Sequence, residues 1–187
     1  YERGKTMYPL KVVGDCDPLL LDDVDEKVVQ DTLQSMVDKL GIRFGSVNVE
    51  LVVDKNNKVW PIDIGPRAGG NMIPDLLGMI FGVDVVEMAV LVAMGEKIEE
   101  KINKGIPFYA THNLHTSQNG KYKTIEFSDE LENKIIKKCL YKKAGDEVYY
   151  FDNAAKALGI IFMKFKSQEE MTRILANINK YYSVVVE

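Results

Sequence analysis

The sequence has little that would suit a secreted, membrane-spanning or nucleic-acid-binding protein. Its 187 residues include two cysteines, Cys16 and Cys139, which excludes a disulfide framework and indicates a reducing compartment. No apolar run approaches the roughly 20 residues that cross a bilayer. Acidic residues (28) outnumber lysine and arginine (24), and the formal net charge is −4, so no basic surface for nucleic acid is predicted. We therefore expect a cytoplasmic protein without membrane or nucleic-acid partners.

What is present is typical of a globular protein. Hydrophobic residues make up 46% of the chain and charged residues 28%. The length suits one compact domain or two small ones. A strongly charged segment, 96–105, indicates a boundary, so the predicted domains are 1–100 and 101–187. The chain begins at Tyr1 rather than at methionine, and we expect a fragment of a longer polypeptide.

Hydrophobic periodicity predicts an α+β fold, mostly antiparallel sheet packed with helices. Apolar residues at helical spacing predict a helix at 22–40, capped by Asp22 or Asp23 and ended by Gly41. Asn71 is predicted to cap a helix at 72–81 and Asp84 a helix that ends at Gly95. Further helices are expected after Ser128 and, with a capping box, from Ser167 to about Tyr181. Strands are predicted at 7–15, 108–116, 121–127, 135–141, 147–150, 158–166 and 183–186.

Two runs of alternating residues flank Asn56-Asn57 and predict a β-hairpin with that pair as its two-residue turn. In this register Glu50 lies directly opposite Asp63, and Asn48 opposite Gly65. The other face is apolar and carries Leu51, Val53, Trp60 and Ile62. Opposed carboxylates about 5 Å apart repel, so they share a proton or bind a cation. The pair predicts a Mg²⁺ (or Mn²⁺) site. The alternative is that both acids lie on a solvated face of the hairpin and bind no ion.

The residues after Asp63 suit an anion. The segment continues Ile-Gly-Pro-Arg67-Ala-Gly69-Gly70. Arg67 can clamp phosphate or carboxylate oxygens with its planar donors. Gly69 and Gly70 allow backbone N–H groups to approach an anion closely. The alternative is that Arg67 pairs with Asp63 and that the glycines only turn the chain.

These two segments, Phe44-Gly-Ser-Val-Asn-Val-Glu50-Leu and Val59-Trp-Pro-Ile-Asp63-Ile-Gly-Pro-Arg67-Ala-Gly-Gly70, resemble the metal-binding C-terminal lobe of ATP-grasp enzymes. The similar stretch covers residues 8–95. The resemblance implies ATP and Mg²⁺ (or Mn²⁺) as cofactors, with Glu50 and Asp63 as the metal ligands. It implies Arg67 as the catalytic residue that stabilises the transferred phosphoryl group. It places Asn48, Gly69 and Gly70 at the nucleotide.

Two positions depart from the family pattern. Family members usually have Glu where Asp63 stands and often Asn where Gly65 stands; Asn48 is expected to stand in for that missing amide. The loss of the Asn resembles a subgroup of amino-acid ligases and carbamoyl-phosphate-synthase-like proteins. Residues 107–187 look like the C-terminal domain appended to such ligases.

The resemblance implies a ligase that joins a small-molecule carboxylate to an amine through an acyl phosphate. A Gly-rich lid and paired lysines over ATP are missing from this sequence, so the chain alone is expected to be inactive. Two alternatives stay open: a bicarbonate-activating protein like carbamoyl-phosphate synthase or biotin carboxylase, and a non-catalytic domain that kept the fold. A homodimer is compatible with each. His112 and His115 are expected on opposite faces of a strand, which argues against joint metal ligation.

Overall fold

The computed structural model describes residues 16–17, 25–96, 98 and 108–187. The strand predicted at 7–15 and most of the charged segment at 96–105 lie outside the described residues. The described residues form antiparallel sheets packed with helices, which confirms the α+β class. The chain divides into two compact units, Leu21–Gly105 and Ile106–Glu187 with Tyr1–Leu20. Strand β1 (Cys16–Asp17) therefore belongs to the second unit.

The unit Leu21–Gly105 is a β-hairpin packed with helices. Its elements are α1 (Glu26–Leu40), β2 (Asn48–Val53), β3 (Val59–Gly65), α2 (Ile73–Phe81) and α3 (Val85–Ala93). Strands β2 and β3 pair antiparallel, α1 packs against β3, and α2 contacts α3. In the described ranges, no single helix has the length and apolar composition to cross a membrane. Helices α2 and α3 meet both criteria only when they are counted together, and a 106° bend separates them.

Helix α1 starts at a different aspartate from those predicted. Asp25 is its N-cap and accepts hydrogen bonds from the backbone N–H groups two and three residues on, at 3.0 and 3.4 Å. The predicted caps, Asp22 and Asp23, are therefore wrong. The backbone N–H of Asp25 donates to the Asn57 side chain at 2.9 Å, which fixes the chain just before the helix. Gly41 ends the helix in the left-handed region (φ 65°), as predicted.

The prediction of an Asn71 cap on helix α2 is wrong. Met72 occupies the N-cap position with φ 58°, and it makes no side-chain cap hydrogen bond. Pro74 lies in the first turn, where a proline is tolerated because the first N–H groups have no helical partner, and this places the start at residue 73. Asp84 caps α3 as predicted, accepting from the second and third N–H groups of that helix at 3.0 and 2.9 Å.

The second unit is built on two antiparallel sheets. Its further elements are β4 (Tyr109–Leu114), β5 (Gly120–Phe127), α4 (Asp129–Glu132), β6 (Ile135–Leu140), β7 (Glu147–Val148), β8 (Gly159–Lys164), α5 (Gln168–Leu175) and β9 (Tyr182–Val186). One sheet has the order β1-β4-β8-β6 and the other β7-β5-β9. The core includes Ala110, Leu114, Leu131, Ile161, Met163, Met171 and Ile174. Tyr182 of β9 belongs to the same core, so both sheets contribute to it.

Helix α5 is shorter than predicted. It begins after Ser167, whose hydroxyl accepts from the Glu170 N–H at 3.2 Å. The return bond of a capping box is absent: the Glu170 carboxylate accepts from the Lys166 N–H at 2.8 Å and pairs with Lys134. The helix ends at Leu175, because the chain tightens to i→i−3 hydrogen bonding there and continues as a 3₁₀ helix at Ile178–Lys180.

Candidate functional site

The turn between β2 and β3 is longer than the predicted Asn-Asn pair. The Asp54 N–H donates to the Lys58 carbonyl at 3.0 Å and closes the turn. The turn therefore runs from Asp54 to Lys58. The pairs next to it are Val53 with Val59, Val52 with Trp60, and Leu51 with Pro61. One residue of β3, Ile62, then has no partner. Beyond this β-bulge, Glu50 pairs with Asp63 and Asn48 with Gly65, so the two opposed carboxylates are confirmed although the predicted turn is wrong.

The register corrects the composition of the two hairpin faces. Trp60 pairs with Val52, which lies on the same face of β2 as Glu50. Trp60 is 48% exposed and Val52 50% exposed, and the unpaired Ile62 is 62% exposed. Trp60 and Ile62 were predicted on the apolar face with Leu51. That prediction is wrong for Trp60, because the longer turn shifts the strands by one residue and the bulge at the unpaired Ile62 restores the predicted register only at Asp63.

Asp54 organises the tip of the hairpin. Its carboxylate accepts from the N–H groups of Asn56 (2.8 Å) and Lys58 (3.1 Å) and from the Trp60 indole N–H (3.1 Å). The bond from Trp60, followed by those from the backbone, lowers the pKa of Asp54. The Lys58 ammonium lies 3.8 Å from the centre of the Trp60 ring. Sequence reasoning missed Asp54; an Asp at the first position of a turn rich in Asn was the available signal.

Glu50 and Asp63 have no neutralising partner in the part of the chain that the structure describes. Both side chains are exposed, and neither makes an ion pair or a hydrogen bond with another described residue. Described residues also contain no cluster of three or more His, Cys, Asp or Glu that could hold a metal. Two carboxylates fit Mg²⁺, which usually takes one or two protein carboxylates and completes its shell with water and phosphate oxygens. They would not form a closed structural site.

Arg67 lies over Gly65 rather than against Asp63. Its backbone N–H donates to the Gly65 carbonyl at 2.8 Å, and its guanidinium Nη1 donates to the Ala68 carbonyl at 3.0 Å. A Cβ built on Gly65 would lie 3.5 Å from Arg67 Cγ and Nε. Arg67 and Asp63 therefore do not form the ion pair considered as the alternative above. The guanidinium lies beside Gly65, two residue pairs beyond the two acids along the hairpin.

The glycines after Arg67 have different surroundings. A Cβ on Gly69 would lie 2.6 Å from Ile73 Cδ1, so this glycine lets the loop pack closely on the first residue of α2. A Cβ on Gly70 would meet nothing within 4 Å. Asn71 and Met72 follow with φ of 49° and 58°, in the left-handed region that non-glycine residues rarely adopt. Close packing thus explains Gly69, while Gly70 lies in open space.

The two histidines lie together, which corrects the expectation of opposite faces. Strand β4 ends at Leu114, so His115 does not follow the strand alternation, and its ring centre lies 5.3 Å from that of His112. His112 Nε2 is 3.2 Å from the Tyr182 hydroxyl, and His115 Nδ1 is 2.7 Å from the Asn113 carbonyl. Burial raises the pKa of Tyr182 to about 12. These contacts describe a packed polar cluster between the two sheets.

Neither a family model nor a curated protein matches the sequence. Solved structures do match. Phosphoribosylglycinamide synthetase from Anaerococcus prevotii is 23% identical with a TM-score of 0.71, and L-amino acid ligase from Bacillus licheniformis is 17% identical with a TM-score of 0.75. The chain has the ATP-grasp fold. It is covered to 94% and 95% in these two matches and spans 45% of each of those proteins, less than half their length.

A third ATP-grasp structure was determined with ligands. It is the biotin carboxylase domain of the 2-oxoglutarate carboxylase from Hydrogenobacter thermophilus, a dimer in complex with MgADP, ADP and bicarbonate. It is 14% identical, with a TM-score of 0.64, and the match covers 93% of this chain and 39% of that one. The predicted resemblance is thus confirmed at the level of the fold.

Proposed function

We propose that this chain is part of an ATP-dependent ligase that joins a small-molecule carboxylate to an amine through an acyl phosphate. The observation that carries the proposal is the opposed pair of Glu50 and Asp63, exposed and without a cationic partner among the described residues. Like charges paired across a sheet are destabilising. A cation bound between the two carboxylates would neutralise this repulsion. The ATP-grasp fold supports this function.

Each candidate residue has a role in the proposed chemistry. Glu50 and Asp63 hold Mg²⁺ or Mn²⁺, which when bound neutralises charge on the ATP phosphates. Arg67 donates hydrogen bonds to the phosphoryl group as it moves to the carboxylate, where the planar guanidinium suits phosphate oxygens. Asn48 supplies an oxygen beside the acids or orients a water. The backbone at Gly69 and Gly70 approaches the nucleotide.

The proposal takes the unit Leu21–Gly105 as a lobe of the ATP-grasp domain and the unit Ile106–Glu187, which β1 joins, as an appended domain. Activation of bicarbonate is the second candidate, because biotin carboxylase domains also match the structure. Their TM-scores of 0.64 and 0.62 are lower than the 0.75 of the L-amino acid ligase. A homodimer fits either candidate. An assay of the full-length protein with amino acids or with bicarbonate, following ADP release, separates the two.

The metal site is tested with the chain itself. Mn²⁺ binding, followed by electron paramagnetic resonance, is expected for the unmodified chain and strongly reduced for Asp63→Asn. The loss should exceed the roughly 10–100-fold that removing an outer-shell partner costs, since Asp63 is proposed to contact the ion directly. Without metal, Asp63→Asn should melt at the same or a slightly higher temperature, because repulsion worth about 0.2–1 kcal/mol is relieved.

Glu87→Gln is the matched control, since it neutralises another exposed carboxylate of the same unit, on α3 and not on either strand of the β2–β3 pair. It should leave Mn²⁺ binding unchanged. Equal Mn²⁺ binding by the unmodified chain and Asp63→Asn would refute the metal site. A strong fall in the melting temperature of metal-free Asp63→Asn would show instead that Asp63 serves the fold.

A further inference from the structure

The β-bulge in strand β3 separates the hairpin tip from the acidic pair. On the tip side, Leu51 pairs with Pro61; on the other side, Glu50 pairs with Asp63. Leu51 and Glu50 are consecutive in β2, whereas Ile62 intervenes between Pro61 and Asp63. A chain one residue shorter could therefore keep every pair on both sides in an uninterrupted ladder. The extra residue is not needed for strand pairing.

The side chain of Ile62 does not explain the residue either. It is 62% exposed, more than Trp60 or Val52 on the same hairpin, and it is absent from the buried core. An exposed isoleucine contributes little by burial. What the residue adds is backbone: a bulge bends its strand, increases the local twist and changes the direction of the neighbouring side chain. The neighbouring side chain here is Asp63.

We propose that the bulge at Ile62 is a positioning device, whose extra backbone residue sets how the Asp63 carboxylate faces that of Glu50. The inference rests on the proposed function, because it assigns the bulge to the metal site. In a regular antiparallel pair, both side chains stand roughly perpendicular to the sheet, and like charges come close together. In this inference, the bend sets the direction of the Asp63 carboxylate relative to that of Glu50, so that both can contact one ion.

The experiment compares deletion of Ile62 with Ile62→Ala in this chain. Deletion removes the bulge and keeps the residue pairs on both sides of it, so the melting temperature should be equal or higher. The Mn²⁺ affinity should fall by about 10–100-fold, as it does when other groups that orient a metal ligand are lost. Ile62→Ala keeps the bulge and removes most of the side chain, so Mn²⁺ affinity should stay within about twofold of the unmodified chain. In NMR spectra, a nuclear Overhauser cross-peak between the backbone amide protons of residues 50 and 63 reports the pairing in each variant.

Each other outcome overturns the inference. If the deletion variant binds Mn²⁺ as tightly as the unmodified chain, the bulge does not position Asp63. If Ile62→Ala loses as much affinity as the deletion, the side chain is responsible and not the backbone. A deletion variant that fails to fold, or that lacks the 50–63 cross-peak, would show that the residue serves the hairpin. Absence of Mn²⁺ binding by the unmodified chain would refute the proposed metal site itself, and the inference with it.

Discussion

At the scale of single residues, the carboxylate of Asp54 determines the length of the hairpin turn. Its three hydrogen bonds come from two backbone N–H groups inside the turn and from the indole of Trp60. They satisfy donors that the turn would otherwise leave to water, and they hold Trp60 on the face that carries the acids. The shape of the candidate site therefore depends on an aspartate that belongs to neither strand.

The stability of the hairpin should depend on the charge of Asp54. Its pKa is lowered by the Trp60 and backbone hydrogen bonds, so its contribution is fully present above the unfolded-state pKa of about 3.9 and is lost as the pH falls through the folded-state value. Asp54→Ala should melt at a lower temperature at pH 7 and show a weaker loss of stability below about pH 4. Thermal melts of both proteins between pH 2 and 7 provide the measurement. Parallel curves for the two proteins would contradict this role.

The opposed acids were predictable from the sequence because strand alternation and one pairing rule were enough to place Glu50 opposite Asp63. The position of Trp60 was not predictable in the same way. It depends on a turn closed by the side chain of Asp54 and on an unpaired Ile62, and each shifts the register by one residue in opposite directions. The shift from the longer turn and the shift from the unpaired Ile62 cancel at Asp63. Only the pairs between the turn and the bulge therefore differ from the predicted register.

At the scale of elements, the contact between β6 and β8 leaves no room for a side chain at Gly159. A Cβ there would lie 2.6 Å from the Cys139 carbonyl oxygen and 2.9 Å from Leu140 Cα, and both are backbone atoms of the paired strand. Backbone cannot move away as a flexible side chain can, so the strands would have to separate. Gly159 thus permits the close approach of β6 to β8, whose first five residues are buried.

Gly159→Ala should destabilise the second unit by about 1–3 kcal/mol or more, the cost typical of overpacking. Urea unfolding followed by the circular dichroism of the sheets gives the free energy of unfolding. Gly70→Ala is the control, because a Cβ on Gly70 would meet nothing within 4 Å. An effect of equal size in both variants would show that the loss comes from the glycine backbone and not from the strand contact.

The ends of the helices show which boundaries can be predicted from local sequence and which cannot. Gly41, Asp84 and Ser167 were predicted as helix boundaries, because their capping chemistry is local. The start of α2 was misplaced, since Pro74 sets it two residues after the candidate cap. The end of α5 was misplaced, because nothing in its hydrophobic pattern marks the change from α-helical to 3₁₀ hydrogen bonding at Leu175.

At the scale of the whole molecule, the chain carries both proposed metal ligands but spans less than half of the ATP-grasp proteins it matches. Nucleotide binding in the proposed function needs groups that cover ATP from the other side, and the sequence has no Gly-rich lid or paired lysines to supply them. The fold was predictable from the hairpin and loop motifs together. The substrates were not, since no motif in the chain distinguishes an amino acid from bicarbonate.

The isolated chain should therefore bind metal without turning over ATP. We expect no Mg²⁺-dependent release of phosphate from ATP above the uncatalysed rate, whereas the longer ligase of the proposed function should release phosphate when its substrates are present. Phosphate release with and without EDTA provides the measurement, and Arg67→Ala in that proposed ligase should be slowed while its metal binding persists. Turnover by the isolated chain at an enzymatic rate would show that the nucleotide site is complete within it.

The hydrogen bond from the Asp25 N–H to the Asn57 side chain affects how the protein can be engineered. Exposed hairpin tips are ordinarily places where a chain accepts inserted residues, because no other part of the fold depends on them. Here the tip holds the residue that begins helix α1, 32 positions earlier in the chain. An affinity tag or reporter loop placed between Asn56 and Lys58 would loosen the helix start as well as the turn.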